Sequence, residues 1–546
     1  MFQWFESLAP ELVWGLYTRG LGLVFLVSYA SLIPQILDTS GRTGGFPAWR
    51  LLDRIRRDFP PWRRWLHFPT VFWVNDSDLM LRAVTWLGLL ASLVTMYGGP
   101  LSPWALLVCY LCYLSLDPVV GFIYPWDCLL LEAAVLSLFL PATHELPDLS
   151  AVVAPAPALA WAHRLLLFRV MFGFGKQKFT GSTRKDLSYL KGFLIGQPLP
   201  SLLAWYVQKL PVALLSVLMV FMFLSEVPIP FLGLFPGTAS IICALSTIFL
   251  MVGVWATGNF GYFSLLTMVA CIPLFDNVTP RQLDFGNLFG AGAPMITNAF
   301  VLVHTLCACL SFPFNSWVGQ CWHIWAAWYR LPRWAQLPFD FLRFMHPFRW
   351  LHPYGVFPPN TGPGIKTSLL VEATWDNESW HELEYNFALS NPKSPPKFIA
   401  PYHPRGDQAV IYETFGLAPT GLLSGTMGPW DPYAFGTKPS AHVMAQRITD
   451  GSATDFVKSD AIAKHEEPPR AVRISTVMLE PVDLKQHFAT GDFWTRTYIG
   501  PHMPPRQNDA TLWEDFLPEP ELWHFDSIMW RRRSRLKRLI DGALAG

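Results

Sequence analysis

The stretch HRLLLFRVMFGFGKQKFTGSTRKDLSYLKGFLIGQPLPSLLAWYVQKLP, residues 163–211, guides the interpretation of the whole chain. Its first part is an apolar run that carries two arginines, Arg164 and Arg169. An arginine in hydrocarbon is costly unless it faces protein, water or lipid headgroups, so such a residue marks a functional or a pairing site. Either these side chains reach the headgroups from a helix end, or they neutralise a carboxylate on a neighbouring helix.

The composition indicates a membrane protein. Of the 546 residues, 51% are hydrophobic and 15% are charged, and the mean hydropathy is +0.27. Soluble domains usually carry about 25% charged residues. We therefore expect a polytopic α-helical membrane protein that contacts the lipid bilayer. The formal net charge of +1 gives no support for a nucleic-acid partner.

Apolar runs recur over residues 1–316, which we interpret as one transmembrane helical domain. A spanning helix needs about 20 apolar residues, and several of these runs are shorter. We expect about eight or nine membrane segments, with the first one retained, since no small-residue cleavage site follows it. The runs are Leu21–Leu37, Leu79–Tyr97, Leu101–Leu116, Trp126–Leu140, Val152–Phe174, Val212–Leu234, Thr238–Ala256, Tyr262–Phe275 and Ala291–Phe312.

Two carboxylates belong to the fourth of these runs. Asp127 lies at its start and Glu132 lies inside it. A carboxylate buried there must be neutral or paired, and Arg164 or Arg169 is the nearest candidate partner by composition. The sequence favours a structural ion pair that locks two helices together. A proton-transfer carboxylate is the functional alternative.

The loop between the first two runs, residues 38–78, is basic and aromatic. Arginines beside a membrane helix are typical of a cytoplasmic loop, with tryptophans at the headgroup level. The functional alternative is an interfacial amphipathic segment that binds anionic lipid. The residues concerned are Arg42, Arg50, Arg54, Arg56, Arg57, Arg63, Arg64, Trp49, Trp62, Trp65 and Trp73.

The remainder of the chain is polar. We divide it into an amphipathic aromatic connector (317–350), a small β-rich domain (351–420) and an extension (421–546) that ends in a basic helix at Trp530–Leu539. Residues 365–375 and 380–387 predict a β-hairpin, because β-branched and aromatic residues partly alternate there. Residues 409–415 and 471–480 predict further strands. A sandwich-like antiparallel module is therefore expected.

Cysteines and histidines give no sign of a metal or a cofactor. The eight cysteines lie in or beside apolar runs, and none follows Cys321, so the polar part has no internal disulfide. The histidines show no metal-ligand spacing. We therefore predict no metal site and no cofactor.

Several motifs occur together in the order and spacing of a known family. The chain resembles the lipase maturation factor family in its Trp-Asp-x-Leu-Leu-Leu-Glu-like, Phe-Gly-x-Gly-x-x-Lys-like, Gln-Pro-Leu-Pro and Thr-Gly-Asn-x-Gly segments. The residues that carry the resemblance are Asp127, Glu132, Arg164, Arg169, Gly173, Gly175, Lys178, Asp186, Gln197, Pro198, Pro200, Gly258, Asn259 and Gly261.

This resemblance implies a membrane-embedded, chaperone-like factor that helps a secreted lipase or another exported client to fold or assemble. It would reside in the endoplasmic reticulum membrane of a eukaryote or in the inner membrane of a bacterium. The β-rich domain would touch the client. Its candidate contact residues are Trp380, Tyr385, Phe387, Pro401, His403, Arg405 and Asp407.

An enzyme is the alternative hypothesis. The membrane core of the family is distantly similar to that of the vitamin K-dependent carboxylase, which implies Glu132, Arg169 and Lys178 as candidate catalytic residues. No nucleophile–base pair is recognisable in the sequence, however. The interpretation as a maturation factor, without catalysis, is therefore preferred.

Overall fold

The computed structural model describes residues 2–44, 47–120, 124–180, 189–284, 294–311, 344–352, 354, 366–414, 440–451, 457–458, 462, 464–465 and 467–507, with residues 332, 334, 337 and 341. Asp186, most of the predicted connector and the predicted basic helix Trp530–Leu539 lie outside them. We call residues 2–311 the helical part and residues 366–507 the sheet domain.

The helical part contains sixteen described α-helices. They are α1 Phe2–Glu6, α2 Pro10–Leu32, α3 Ile36–Ser40, α4 Ala48–Asp58, α5 Pro61–His67, α6 Asp78–Tyr97, α7 Ser102–Val120, α8 Pro125–Ser137, α9 Pro157–Thr180, α10 Tyr189–Gly196, α11 Leu202–Val207, α12 Val212–Glu226, α13 Ile229–Leu232, α14 Thr238–Thr257, α15 Phe263–Cys271 and α16 Met295–Ser311. Short 3-10 helices lie at Val71–Trp73, Ile272–Phe275 and Thr279–Gln282.

Within the described residues, five helices are long and apolar enough to cross a membrane. They are Pro10–Leu32, Asp78–Tyr97, Ser102–Val120, Val212–Leu232 and Thr238–Thr257. Two shorter apolar helices, Phe263–Phe275 and Met295–Leu310, accompany them. The chain is thus an integral membrane protein with a helical core, as expected. The count of eight or nine segments stays a prediction.

The helices pack closely at positions that are occupied by small residues. A Cβ atom on Gly88 of α6 would lie 2.1 Å from the Tyr29 ring of α2, so only glycine allows this approach. The Tyr29 hydroxyl then donates to the carbonyl of Cys109 on α7 at 2.6 Å. Such contacts through small residues and interhelical hydrogen bonds are typical of helix packing in membranes. They draw α2, α6 and α7 into one bundle.

One four-stranded antiparallel sheet is described after the helical part, in the order β2-β1-β3-β4. The strands are β1 Lys366–Thr374, β2 His381–Leu383, β3 Ala471–Pro481 and β4 Trp494–Gln507. The predicted hairpin of β1 and β2 and the predicted strand at 471–480 are confirmed. Because β1 pairs with β3, the strands of this sheet come from both sides of the proposed boundary at residue 420.

Two predictions for this region are wrong. Residues 409–414 belong to a helix, α17 (Arg405–Thr414), and not to a strand. Pro404 precedes this helix and Asp407 lies in its first turn, and both are helix-start signals that outweigh the partial alternation of the later residues. Nor is the described domain a sandwich. Two helices, α17 and α18 (Ser440–Thr449), share a buried cluster with the sheet through Ile411, Met444 and Ile448.

Candidate functional site

The sheet domain meets the helical part at a buried polar surface, which we call the junction. Its centre is Asp127, in the first turn of α8 and fully buried. Arg405, from the first turn of α17, donates to both carboxylate oxygens at 2.8 and 3.1 Å. Two neighbouring arms of one guanidinium therefore meet the two oxygens of one carboxylate, which is a strong and directional pairing.

Two tyrosines complete the environment of Asp127. The Tyr113 hydroxyl, from α7, donates to the same carboxylate at 2.6 Å, and the Tyr262 hydroxyl at the start of α15 also donates to it. The hydroxyls of Tyr113 and Tyr262 lie 2.6 Å apart. Burying a charge is costly unless it is paired and hydrogen-bonded, and here both conditions are met. Asp127 is buried and paired, as expected. Its partner is Arg405, which was predicted to contact the client.

Residues at the end of α2 bind the backbone of His403 and Arg405, the segment that carries the arginine of this ion pair. Gln35, just after α2, donates from its amide nitrogen to the carbonyl of His403 at 2.9 Å and accepts from the backbone nitrogen of Arg405 at 2.9 Å. Ser31 accepts from the backbone nitrogen of His403 at 3.0 Å. Neither Ser31 nor Gln35 belongs to a motif quoted above. A polar residue on the core-facing side of a membrane helix is the signal that could have indicated them.

Asn259 clamps two separate segments at the other side of the junction. Its amide nitrogen donates to the carbonyls of Leu199 and Lys397 at 3.1 and 2.7 Å. Its amide oxygen accepts from the backbone nitrogens of Ile399 and Ala400 at 2.9 and 3.1 Å. The side chain thereby substitutes for a strand partner that residues 397–400 lack.

The glycines that flank Asn259 allow close approach. A Cβ atom on Gly258 would lie 2.4 Å from the side-chain oxygen of Gln197, and one on Gly261 would lie 3.0 Å from Cβ of His403. Gly261 also has a φ of +56°, in the left-handed region that favours glycine. Pro200 pairs with Gly258 through an isolated antiparallel bridge. This motif therefore shapes the surface on which the sheet domain rests.

Lys366, at the start of β1, is a second basic residue of the sheet domain that binds the helical part. Its ammonium is fully buried and donates to the carbonyls of Gln197 and Pro198 at 2.8 and 2.7 Å. Burial lowers the pKa of Lys366 to about 7. The Gln-Pro motif of the helical part is thus a docking point for the first strand of the sheet.

A second buried network surrounds Glu132, in the middle of α8. Arg169 of α9 donates to one of its carboxylate oxygens at 2.5 Å, and the His304 ring of α16 lies 3.1 Å from the same atom. The other oxygen accepts from the backbone nitrogen of His352 at 3.0 Å and from the Tyr354 hydroxyl. Arg169 also donates to the carbonyl of His352 at 2.7 Å. The expected ion pair between two helices is present, with Arg169 as the partner.

Arg164, the other candidate, lies elsewhere. It donates to the backbone carbonyls of Gly233 and Asp276, near the opposite end of the bundle. It therefore satisfies the ends of other membrane segments rather than a carboxylate. Gly175, farther along α9, permits contact with α12, since a Cβ atom there would lie 2.8 Å from the carbonyl of Glu226. Gly173 is buried in the same helix.

Two residues of the catalytic alternative, Glu132 and Arg169, are in direct contact. About 13 Å of helix separates Arg169 from Lys178 at a rise of about 1.5 Å per residue, and both lie in α9. The side chain of Lys178 is outside the described residues. Both oxygens of Glu132 are already engaged by neighbouring donors. Among the described residues, no group of three or more His, Cys, Asp or Glu side chains could hold a metal ion.

The candidate client-contact residues are mostly inside the protein. Tyr385, His403, Arg405 and Asp407 are buried, whereas three others, Trp380, Phe387 and Pro401, are partly exposed. The Asp407 carboxylate accepts from the backbone nitrogens of Phe387 and Ala388 at 3.0 and 2.9 Å, and burial raises its pKa to about 7. Of these four, His403 and Arg405 bond to the helical part, whereas Asp407 bonds to the backbone of the sheet domain and Tyr385 lies in its buried cluster.

These features define a class: an α-helical integral membrane protein that carries an antiparallel sheet domain docked through buried ion pairs and hydrogen bonds. Residues 13–281 match the family model described as the lipase maturation factor transmembrane domain. The helical part of the chain therefore belongs to the lipase maturation factor family.

Named relatives cover most of the chain. Lipase maturation factor 2 of Xenopus tropicalis is 24% identical, covering 75% of this chain and 71% of the relative. The human protein of that name is 26% identical, with 73% and 71% coverage. Lipase maturation factor 1 of Bos taurus is 24% identical, with 89% and 87% coverage. No solved structure matches.

Proposed function

We propose that this protein assists the maturation of a secreted lipase, as a chaperone-like factor held in the membrane. Family membership supports the lipase as client. The observation that carries the proposal is the Asp127–Arg405 pair, which fixes the sheet domain against the helical part. A client-binding domain fixed in this way is kept at the bilayer surface. In a eukaryotic cell the proposed location is the membrane of the endoplasmic reticulum.

The proposed client surface is the exposed apolar part of the sheet domain. Strand β4 lies at one end of the described strand order, and its residues Tyr498 and Ile499 are 59% and 56% exposed. Phe488, in the short helix α19 (Leu484–Thr490) that precedes this strand, is 77% exposed. Exposed apolar side chains shield the apolar patches of incompletely folded clients, and a free strand edge pairs with extended chain. The partly exposed Trp380, Phe387 and Pro401 remain candidates as well.

The test is secretion of an active lipase by cells that lack their own maturation factor. Expression of the full chain should restore secreted lipase activity, and Tyr498→Ser/Ile499→Ser should reduce it several-fold at an unchanged level of the protein. The matched control is Val152→Ser/Val153→Ser, which removes two exposed apolar side chains from the loop between α8 and α9. No restoration by the unaltered chain would contradict the proposed function. Equal activity of all three proteins would reject the β4 surface.

A further inference from the structure

The segment between α3 and α6 forms a fixed platform beside the membrane boundary. A small buried cluster joins helices α4 and α5: Ile55 lies in α4, Phe59 directly follows α4 and Phe68 directly follows α5. After α5, Thr70 donates from its hydroxyl to the carbonyl of Ser115 on α7 at 2.8 Å. The spanning helix α6 then begins at Asp78. The outward side of α4 and α5 is therefore held at the level where α6 enters the bilayer.

Some arginines of this platform are already engaged inside it. Arg56 lies 2.6 and 3.1 Å from the carboxylates of Asp53 and Asp76. Arg64 donates to the backbone carbonyls of Phe59 and Arg56, both at 2.7 Å. These two arginines hold α4 and α5 together, so their guanidinium groups interact mainly with other parts of the protein.

Three other arginines point outward. Arg57 at the end of α4, Arg63 in α5 and Arg82 one turn into α6 are exposed. Among the described side chains, none of the three has a carboxylate partner. Arg82 lies in a spanning helix, where a long basic side chain reaches back to the headgroups. Among the described side chains, the outward side of this region therefore carries positive charge without a carboxylate partner.

Aromatic side chains accompany these charges. Trp62 and Trp65 are 62% and 47% exposed, and a spacing of three residues places them on one side of α5. The Arg63 guanidinium lies 5.1 Å from the ring centroid of Trp62. The exposed Leu79 and Leu90 lie on the outer side of α6, the helix that follows this segment. Tryptophan is enriched at headgroup level, directly above such an apolar surface.

We propose that this platform binds the headgroups of anionic phospholipids in the leaflet next to the start of α6. Arg57, Arg63 and Arg82 supply the charge that the phosphates complement, and Trp62 and Trp65 lie between headgroup and acyl chain. Basic residues at a membrane surface attract anionic lipid, and each contributes separately. The surface is continuous with the lipid-exposed side of α6, which favours lipid over a soluble acidic partner. The inference is independent of the client.

The test uses the full-length protein in nanodiscs of phosphatidylcholine mixed with phosphatidylglycerol. After transfer to mild detergent, native mass spectrometry counts the lipids of each kind that remain bound. The unaltered protein should retain phosphatidylglycerol preferentially. Arg57→Gln/Arg63→Gln should reduce that preference by about fivefold for each arginine removed. Trp62→Ala/Trp65→Ala should reduce retention of both lipids.

The matched control is Lys464→Gln/Arg470→Gln, which removes two exposed charges from the sheet domain. Arg470 lies beside Thr374, at the end of β1 opposite to Lys366, which contacts the helical part. This control should leave the preference unchanged, and added inorganic phosphate should not displace the lipid. Equal losses in the control and the platform variant, an unchanged preference in the platform variant, or displacement by free phosphate would each overturn the proposal. Circular dichroism of every variant checks that the fold is kept.

Discussion

Asp127 and Glu132 lie on the same helix, and both carboxylates are fully buried, yet their partners come from different parts of the chain. Asp127 is paired with Arg405 of the sheet domain. Glu132 is paired with Arg169 inside the helical part, and it also holds the backbone of His352. The first ion pair therefore joins two domains, whereas the second lies within the bundle. This difference decides what each pair stabilises.

The two pairs should also differ in whether the arginine can reach water after its carboxylate has been removed. If Asp127 is lost, Arg405 can return to water once the sheet domain lifts from the junction. If Glu132 is lost, Arg169 stays in the bundle, because α9 cannot leave it. An unpaired buried charge is the main cost of breaking such a pair. The Glu132 pair should therefore govern the stability of the bundle, and the Asp127 pair should govern docking.

The largest effect is expected for Glu132→Gln. This change keeps the shape but leaves Arg169 without its carboxylate, and breaking a buried pair in this way costs about 3–5 kcal/mol. Thermal unfolding of the purified protein in detergent measures the loss. Glu145→Gln, at an exposed carboxylate between α8 and α9, is the control and should change stability little. A variant as stable as the control would contradict the role given to Glu132.

A smaller effect on overall stability is expected for Asp127→Asn and for Arg405→Gln. Each leaves one partner unpaired, and we expect a loss near the lower limit, about 3 kcal/mol, because the sheet domain can detach. Limited proteolysis should show faster cleavage between the helical part and the sheet domain, with the helical part itself still resistant.

The double variant Asp127→Asn/Arg405→Gln sharpens this comparison. Since no charge is then buried alone, it should be less destabilised than the sum of the single changes. Strict additivity would mean that the two side chains do not act as a pair. Cleavage that starts inside the helical part would mean that Asp127 stabilises the bundle and not the junction.

The sequence predicted these two carboxylates and one of their partners. The charge of an arginine inside an apolar run must be neutralised or solvated, so pairing of Arg169 with Glu132 could be expected. Arg405 is 278 positions from Asp127 along the chain, and no local pattern links them. The family resemblance placed it among the candidate client-contact residues of the β-rich domain. Only the tertiary fold brings it to the start of α8.

The same limit explains the errors in the sheet domain. Partial alternation and β-branched and aromatic residues correctly predicted β1, β2 and β3, although β1 is buried along most of its length. The run 409–414 also alternates in part, but its helix-start signals decide its structure. Strand β4 was not predicted, because Pro501, Pro504 and Pro505 within it are atypical of strands. Its pairing with β3 has register shifts that accommodate such residues.

The smallest of the three effects is expected at Asn259, which joins the two domains without a charge. Asn259→Ala removes four hydrogen bonds to Leu199 and to residues 397–400, and unsatisfied buried backbone groups cost about 1–3 kcal/mol. Like Asp127→Asn, the change should speed cleavage at the junction, yet to a lesser degree, since no ion is left unpaired. Hydrogen exchange of the Ile399 and Ala400 amides measures it directly, because both donate to Asn259. The control Asn75→Ala removes an exposed asparagine that bonds the Ser77 amide, and it should leave exchange at these amides unchanged. Unaltered protection of these amides in Asn259→Ala would show that Asn259 does not hold residues 397–400 against the helical part.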